Sequence, residues 1–246
     1  MPKFFIKKED IAGDFVTITG SDATHISKVL RMESGEEIIL CDGEGTDFAA
    51  AIASCTKDEV VCSIKEKRPC EAEPSLSFVL FQGLPKQGKM DYIIEKCTEL
   101  GISTIVPVSC ERSVAEIKNP QAEEKKLARW RKIAAESVKQ CGRGVIPEVT
   151  GVMTVKEALA FSKQLDRTLA AYENERQLSL KEALPKEKPQ SIGVFIGPEG
   201  GFSEKEVAWF QERNIPTVTL GKRILRTETA GHTVLTAAMF LYGEME

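Results

Sequence analysis

Apolar and polar residues alternate over the first 70 positions in short runs, FVTI, EEIIL, DFAAAIA and EVVCSIK, parted by turns such as CDGEGTD. Period-two alternation with turns at this spacing predicts short, half-buried strands and a small β-barrel. One stretch breaks the rhythm: DATHISKVLRM has helical spacing, with Asp22 expected as its N-cap. The charged segment KEKRPCEAEPS, residues 65–75, carries two prolines and reads as a linker. Beyond it, longer elements alternate. LSFVLFQGL reads as a buried strand, and TIVPVS, RTLAAYE, SIGVFIG and TVTLG as further strands. KMDYIIEKCTELG, EEKKLARWRKIAAESVKQCG, TVKEALAFSKQL and SEKEVAWFQERN read as helices. Gly101 is expected to close the first of these helices, and Ser203 with Glu206 to cap the last. Strands alternating with helices predict an α/β domain with a mostly parallel sheet covered on both faces. The expected division is a β-rich domain over 1–70 and an α/β domain over 71–246.

Composition narrows the class without changing this picture. With 246 residues, 42% hydrophobic and 28% charged, the chain is long enough for one or two domains with cores of their own. Seven cysteines, an odd number with no C-x-x-C pair, predict reduced thiols rather than a disulfide framework or a zinc site. Only His25 and His232 are available as imidazole ligands, so no metal centre is expected. MPKFFIKKED lacks a signal-peptide apolar run, and no window reaches the roughly 18 apolar residues of a membrane helix. A cytoplasmic protein with no membrane association is the expectation.

Charge adds one local signal. The first 70 residues hold nine Lys/Arg against thirteen Asp/Glu, and the remainder is balanced, so bulk attraction to nucleic acid is absent. Residues 125–143 nevertheless carry seven basic residues against Glu136 alone. That run is either a solvated helix face or a surface for backbone phosphates.

Candidate chemistry gathers where strands end. IGPEGGF, residues 196–202, follows the strand SIGVFI, and GKRILRTETA, residues 221–230, follows TVTL. In open α/β sheets, ligands bind beyond the carboxyl ends of strands, and glycines let backbone approach them closely. A tight turn with a helix cap is the plain alternative for the first loop. The glycines match neither a dinucleotide fingerprint nor a P-loop. Arg226 and Glu228 either pair with each other or face a substrate, and Thr227 and Thr229 are positioned to cap the last helix. Lys86 and Lys89, and Glu111 and Arg112, follow other strands on the same presumed side, with simple solvent exposure the plain alternative for either lysine alone, and Gln140 and Arg143 close the basic helix. In the first domain, His25, Lys28 and Arg31 at i, i+3 and i+6 share roughly one helical face, either with His25 structural or as a grouping that holds an RNA backbone.

Taken together, HISKVLRMESGEEIIL, QGLPKQGKMDYIIEKCTELGISTIVP, ERSV, WRKIAAESVKQCGR, AYENE, IGPEGGFSEKEV and LGKRILRTETA resemble the ribosomal RNA small subunit methyltransferase E family of the SPOUT superfamily. They stand in the family's order over nearly the whole chain. The resemblance implies a PUA-like RNA-binding β-barrel followed by a SPOUT-type α/β domain whose chain forms a deep trefoil knot. It implies S-adenosyl-L-methionine as methyl donor, N3 of a uridine (position 1498) in 16S rRNA of the small ribosomal subunit as target, and a homodimer. Carried onto this chain, the donor pocket comprises Tyr172, Glu173, Gly197, Pro198, Glu199, Gly200, Gly201, Leu220, Gly221, Ile224, Leu225 and Arg226. Arg226 and Glu228 are then the expected catalytic pair, and His25, Lys28, Arg31, Lys86, Lys89, Arg112, Gln140 and Arg143 the expected RNA contacts. A non-catalytic RNA-binding protein would leave IGPEGGF and ILRTETA without a task, and a Rossmann-type nucleotide enzyme would lack its glycine fingerprint.

Overall fold

A computed structural model describes residues 1–114 and 119–246. The chain forms two compact units. The first is Met1–Glu73 with Val138–Ile146, and the second is Pro74–Ser137 with Pro147–Glu246.

In the first unit, β1 (Lys3–Phe5), β2 (Ile11–Ala12), β3 (Phe15–Thr19), β4 (Glu37–Cys41), β5 (Thr46–Cys55) and β6 (Glu59–Pro69) make a six-stranded sheet. Its order is β1-β4-β5-β6-β3-β2, antiparallel except for β1 on β4. The inward positions, among them Val16, Ile18, Ile38, Leu40, Ile52 and Val60, form one core with Ile26. The period-two expectation is therefore met, with one correction. Strand β6 runs to Pro69, so residues 66–69 of the expected linker are paired with β5.

The short helix also differs from expectation. Helix α1 (Gly20–Thr24) is N-capped by Thr19, not Asp22, and continues as a π-helix over His25–Leu30. The wider turn of a π-helix changes the angular spacing on which a shared α-helical face depends. Arg31 follows in the left-handed region (φ 56°), outside the helix. The i, i+3, i+6 spacing therefore does not give one regular α-helical face, although Lys28 and Arg31 still border one cavity.

A second piece of chain, Val138–Ile146, returns to this unit, and Glu73 anchors it. Its carboxylate accepts from Arg143 Nη2 (2.8 Å), Gly144 N (2.7 Å) and Val145 N (2.9 Å). Arg143, expected on RNA, is only 4% exposed, so burial and this pairing give it a structural place instead. A charge so buried needs such a partner.

The second unit is a seven-stranded sheet in which every pairing is parallel. Strands β7 (Ser77–Gly83), β8 (Thr104–Ser109), β9 (Glu148–Val149), β10 (Met153–Thr154), β11 (Arg167–Ala171), β12 (Ser191–Ile196) and β13 (Thr217–Val218) follow the order β10-β8-β7-β12-β11-β13, with β9 also on β8. Alternate residues feed two cores, as a parallel sheet buried on both faces requires. Phe78, Leu80, Ile192 and Val194 face one layer, with α2 (Lys89–Glu99), α3 (Pro120–Cys141) and α7 (Thr227–Leu241). Phe81, Phe195 and Val106 face the other, with α4 (Val155–Phe161) and α6 (Glu204–Glu212). A one-turn helix, α5 (Leu180–Ala183), lies between β11 and β12 in the chain.

Local signals set the helix ends. Helix α2 closes on Gly101 (φ 92°), with Ile102 N bonding Cys97 O and Gly101 N bonding Thr98 O, the paired bonds of a Schellman end. Ser203 and Glu206 form the expected capping box of α6. Asn119 accepts from Ala122 N at the start of α3, ahead of Pro120. Helix α7 departs from expectation: its N-cap is Arg226, with no side-chain cap from either threonine.

Candidate active site

The site grows from three neighbouring strands. Strands β12, β11 and β13 are adjacent and parallel, so their carboxyl ends open on the same edge of the sheet. The segments that follow them, 196–201, 171–176 and 218–227, line one cavity of about 570 Å³, with Lys89 and Ala230 completing it. Every residue expected at the donor pocket lines this cavity: Tyr172, Glu173, Gly197, Pro198, Glu199, Gly200, Gly201, Leu220, Gly221, Ile224, Leu225 and Arg226. Lys222, Arg223 and Thr227 of the second loop line it too, and so do Arg176 and Thr219, which no motif singled out.

Glycine is required at two positions here. A Cβ on Gly83, at the end of β7, would lie 2.6 Å from the Pro198 backbone nitrogen, so only glycine lets this loop seat on the strand. Gly201 has φ 67°, and a Cβ there would come within 2.2 Å of Glu173 Oε1.

After β13, at the sheet edge, the chain crosses back past the ends of β11 and β12 to start α7 against β7. A buried relay holds it there. Gln82 Nε2, on β7, donates to Thr227 Oγ1 (2.8 Å), and Thr227 Oγ1 donates to Gly197 O (2.6 Å). Neither Gln82 nor Thr227 was legible as part of the site, because their partners lie 145 and 30 residues away. The one available signal was a polar Gln inside an otherwise apolar strand, since buried amides are rarely left unpaired.

The charges of the site are shared among three elements. Lys89 Nζ lies 2.9 Å from Glu199 Oε1 and 3.1 Å from Glu228 Oε2. Glu199 also accepts from Lys86 N at 3.1 and 3.2 Å. Burial would raise the Glu228 carboxyl, but the N–H at its own position, Lys89 and the Arg226 charge outweigh it and hold it below the ordinary carboxylate range. Glu199 is likewise held low against burial, by Lys89 and the Lys86 N–H. The hydrogen bonds from Glu199 and then Glu228 raise the Lys89 ammonium above its usual value. So Glu228 pairs with Lys89 rather than with Arg226. The Arg226 guanidinium is exposed and makes no hydrogen bond or ion pair with another described residue. Ile224 is 80% exposed, while Leu225 packs on the core.

Two family descriptions match this chain. An RNA methyltransferase domain matches residues 72–239, and an RNA methyltransferase PUA domain matches residues 18–65. The ribosomal RNA small subunit methyltransferase E of Bacillus subtilis (strain 168) is 34% identical over 98% of this chain and 96% of its own length. The chain belongs to the ribosomal RNA small subunit methyltransferase E family. A methyltransferase E from Neisseria gonorrhoeae, crystallised with S-adenosyl methionine, superposes with a TM-score of 0.84 at 31% identity, covering 98% of each chain. The Legionella pneumophila methyltransferase Lpg2936, also bound to this cofactor, gives 0.81 at 28% identity over 97% of this chain and 96% of its own. The PUA domain match falls within the first unit, and the RNA methyltransferase domain match spans most of the second.

The remaining residues expected of a methyltransferase E on RNA divide. Lys86 and Gln140 are exposed. Lys89 lies at the cavity, where two carboxylates hold its ammonium. Arg112 Nη1 donates to Gly200 O (3.3 Å) and so braces the cavity wall. The basic run of α3 is partly engaged within the protein. Arg129 pairs with Asp91, Arg131 Nε bonds Val149 O (3.0 Å), and Lys132 lies 3.7 Å from Glu136. In the PUA-like unit, Lys28 and Arg31 line a second cavity of about 500 Å³ together with Lys57 and Glu33. His25 is exposed beside the Phe4 ring, 6.1 Å between centroids. No cluster of metal-ligating side chains occurs among the described residues.

Proposed function

We propose that this chain transfers a methyl group from S-adenosyl-L-methionine to N3 of a uridine, position 1498, in 16S rRNA of the small ribosomal subunit. The observation that carries this reading is the cavity formed by the glycine loop, the Tyr172–Arg176 segment and the Thr219–Thr227 segment, in a chain of this family. The residues fit the donor. The volume suits a ligand of that size, Ile196, Val218 and Leu225 offer apolar walls, and Glu173 and Glu199 offer carboxylates to a cationic ligand. When bound, the donor supplies a methyl group already activated on a sulfonium, so alignment is the protein's main contribution.

The chain's own groups then handle the base. N3 lies on the pairing edge and carries a proton at neutral pH, so the uridine must be unpaired or flipped out before reaction. The exposed Arg226 guanidinium is placed to stabilise negative charge on a uracil carbonyl as N3 loses that proton. Glu228, ionised in the first turn of α7, holds the base or receives the proton. Lys28, Arg31, Lys86 and Gln140 provide exposed contacts for the RNA backbone.

The crossing of the 219–226 segment past β11 and β12 is the passage through which this family's trefoil knot would form. Apolar residues left exposed at the end of α7, with Phe240 at 78% and Leu241 at 48%, support a homodimer. Action on rRNA, and the lack of any helix long and apolar enough to cross a membrane among the described residues, support a cytoplasmic location. The test is transfer of labelled methyl to 16S rRNA and to assembled small subunits, followed by nucleoside analysis. Labelled N3-methyluridine is expected from at least one substrate, and its absence from both overturns the reading.

A further inference from the structure

We propose that Lys89 is a positioning residue of the transfer reaction, tying the donor-wall carboxylate Glu199 to the target-side carboxylate Glu228 through one ammonium. This rests on the functional reading above and adds a role that neither the motifs nor the comparisons assign.

Lys89 is the first residue of α2, whose N-cap Gly88 offers no side-chain cap. A cation at a helix N-terminus opposes the helix dipole, so the lysine is electrostatically misplaced unless anions surround it. Two do. Glu199 comes from the loop after β12, which lines the cavity, and Glu228 from the first turn of α7, beside Arg226. One side chain therefore fastens the starts of α2 and α7 and the glycine loop, over sequence separations of more than 100 residues.

Shielding separates this pair from ordinary surface bridges. The side chains of Lys89, Glu199 and Glu228 are 27%, 25% and 19% exposed, whereas Lys132 and Glu136 are 76% and 65% exposed. Exposed pairs hold little geometry, and shielded ones with several hydrogen bonds hold more. The groups facing Glu228 are Lys89 from α2, Arg226 just ahead of it, and His232 one turn along α7. Glu199 is faced by Lys89 and the Lys86 N–H. Without the ammonium, two carboxylates would share a partly shielded site, and one would take up a proton more readily.

The test compares wild type, Lys89→Met and Lys89→Arg by donor calorimetry and by the pH dependence of kcat/KM for methyl transfer to 16S rRNA or small subunits. Lys89→Met is expected to lose up to about 100-fold in kcat/KM. Its acid limb should move to higher pH, because Glu228 loses the cation that keeps it ionised. Lys89→Arg should keep the wild-type limb. Folding is read from Trp130 and Trp209, and should Lys89→Met not fold, Glu228→Gln carries the test, since its acid limb should vanish. A wild-type limb in Lys89→Met, or in Glu228→Gln, overturns the proposal even if rates fall. If the wild-type protein transfers no methyl at all, the functional reading is what fails. The effect of Lys89→Met on donor affinity, expected to be a loss, then still tests the tie to Glu199.

Discussion

Replacing Thr227 by valine keeps the shape of the side chain and deletes one hydroxyl from the relay between β7 and the glycine loop. That hydroxyl accepts from Gln82 Nε2 at 2.8 Å and donates to Gly197 O at 2.6 Å, and Thr227 is buried. Without it, Gly197 O loses a buried donor, and Gln82 Nε2 keeps only its bond to Gly83 O at 3.0 Å. Leaving a buried polar group unpaired costs roughly 1–3 kcal/mol. Gly197 O is only part-buried and Gln82 Nε2 only partly deprived, which gives about 1–2 kcal/mol for Thr227→Val. Thr227→Ser keeps the hydroxyl and loses one methyl, worth about 1 kcal/mol. Both tryptophans, Trp130 and Trp209, lie in the α/β unit, so denaturant unfolding followed by tryptophan fluorescence reads that unit. Since Gly197 lines the cavity, donor affinity measured by calorimetry should fall with stability in the valine variant and hold in the serine variant. A valine variant within about 0.5 kcal/mol of wild type, with unchanged donor affinity, would refute the relay.

Three further outcomes follow from other parts of the chain. Glu73→Ala removes the carboxylate shared by Arg143, Gly144 and Val145, and should cost about 3 kcal/mol. Hydrogen exchange should show amides 138–146 losing protection first, and unchanged protection would contradict the anchoring role. Gly201→Ala forces a side chain into the left-handed region and against Glu173, so calorimetry should show donor binding weakened by at least about tenfold. Burial, opposed in part by Glu228, lowers the His232 imidazole below its ordinary 6.5. Because the folded value lies below the unfolded one, its stabilisation is present above 6.5 and is lost as pH falls through the folded value. Unfolding midpoints of the α/β unit should decline on acidification below 6.5, and His232→Asn should flatten that part of the curve.

The sequence alone determined a good deal of this protein. Strand and helix identities follow from periods of 2 and 3.6 in the placement of apolar residues. The Ser203–Glu206 box and the Gly101 helix end are local as well, since each partner lies within a few residues. The two glycine-bearing loops were legible because their position after apolar strands depends only on chain order. Family motifs over nearly the whole length named the donor-pocket residues, and the structure brings all of them around one cavity.

Tertiary structure decided what distant partners do to each residue. Lys89 and Arg143 carry the same kind of charge as Lys86, yet carboxylates far along the chain turn both inward. The return of Val138–Ile146 to the first unit is invisible to any linear boundary, because it depends on Glu73 accepting backbone donors about 70 residues later. Arg31 stands outside the expected helix because the turn before it widens and Arg31 itself takes a left-handed backbone. Pattern reports which residues prefer water and which prefer a core. It is silent on which two charges meet, since that depends on how strands order themselves in a sheet.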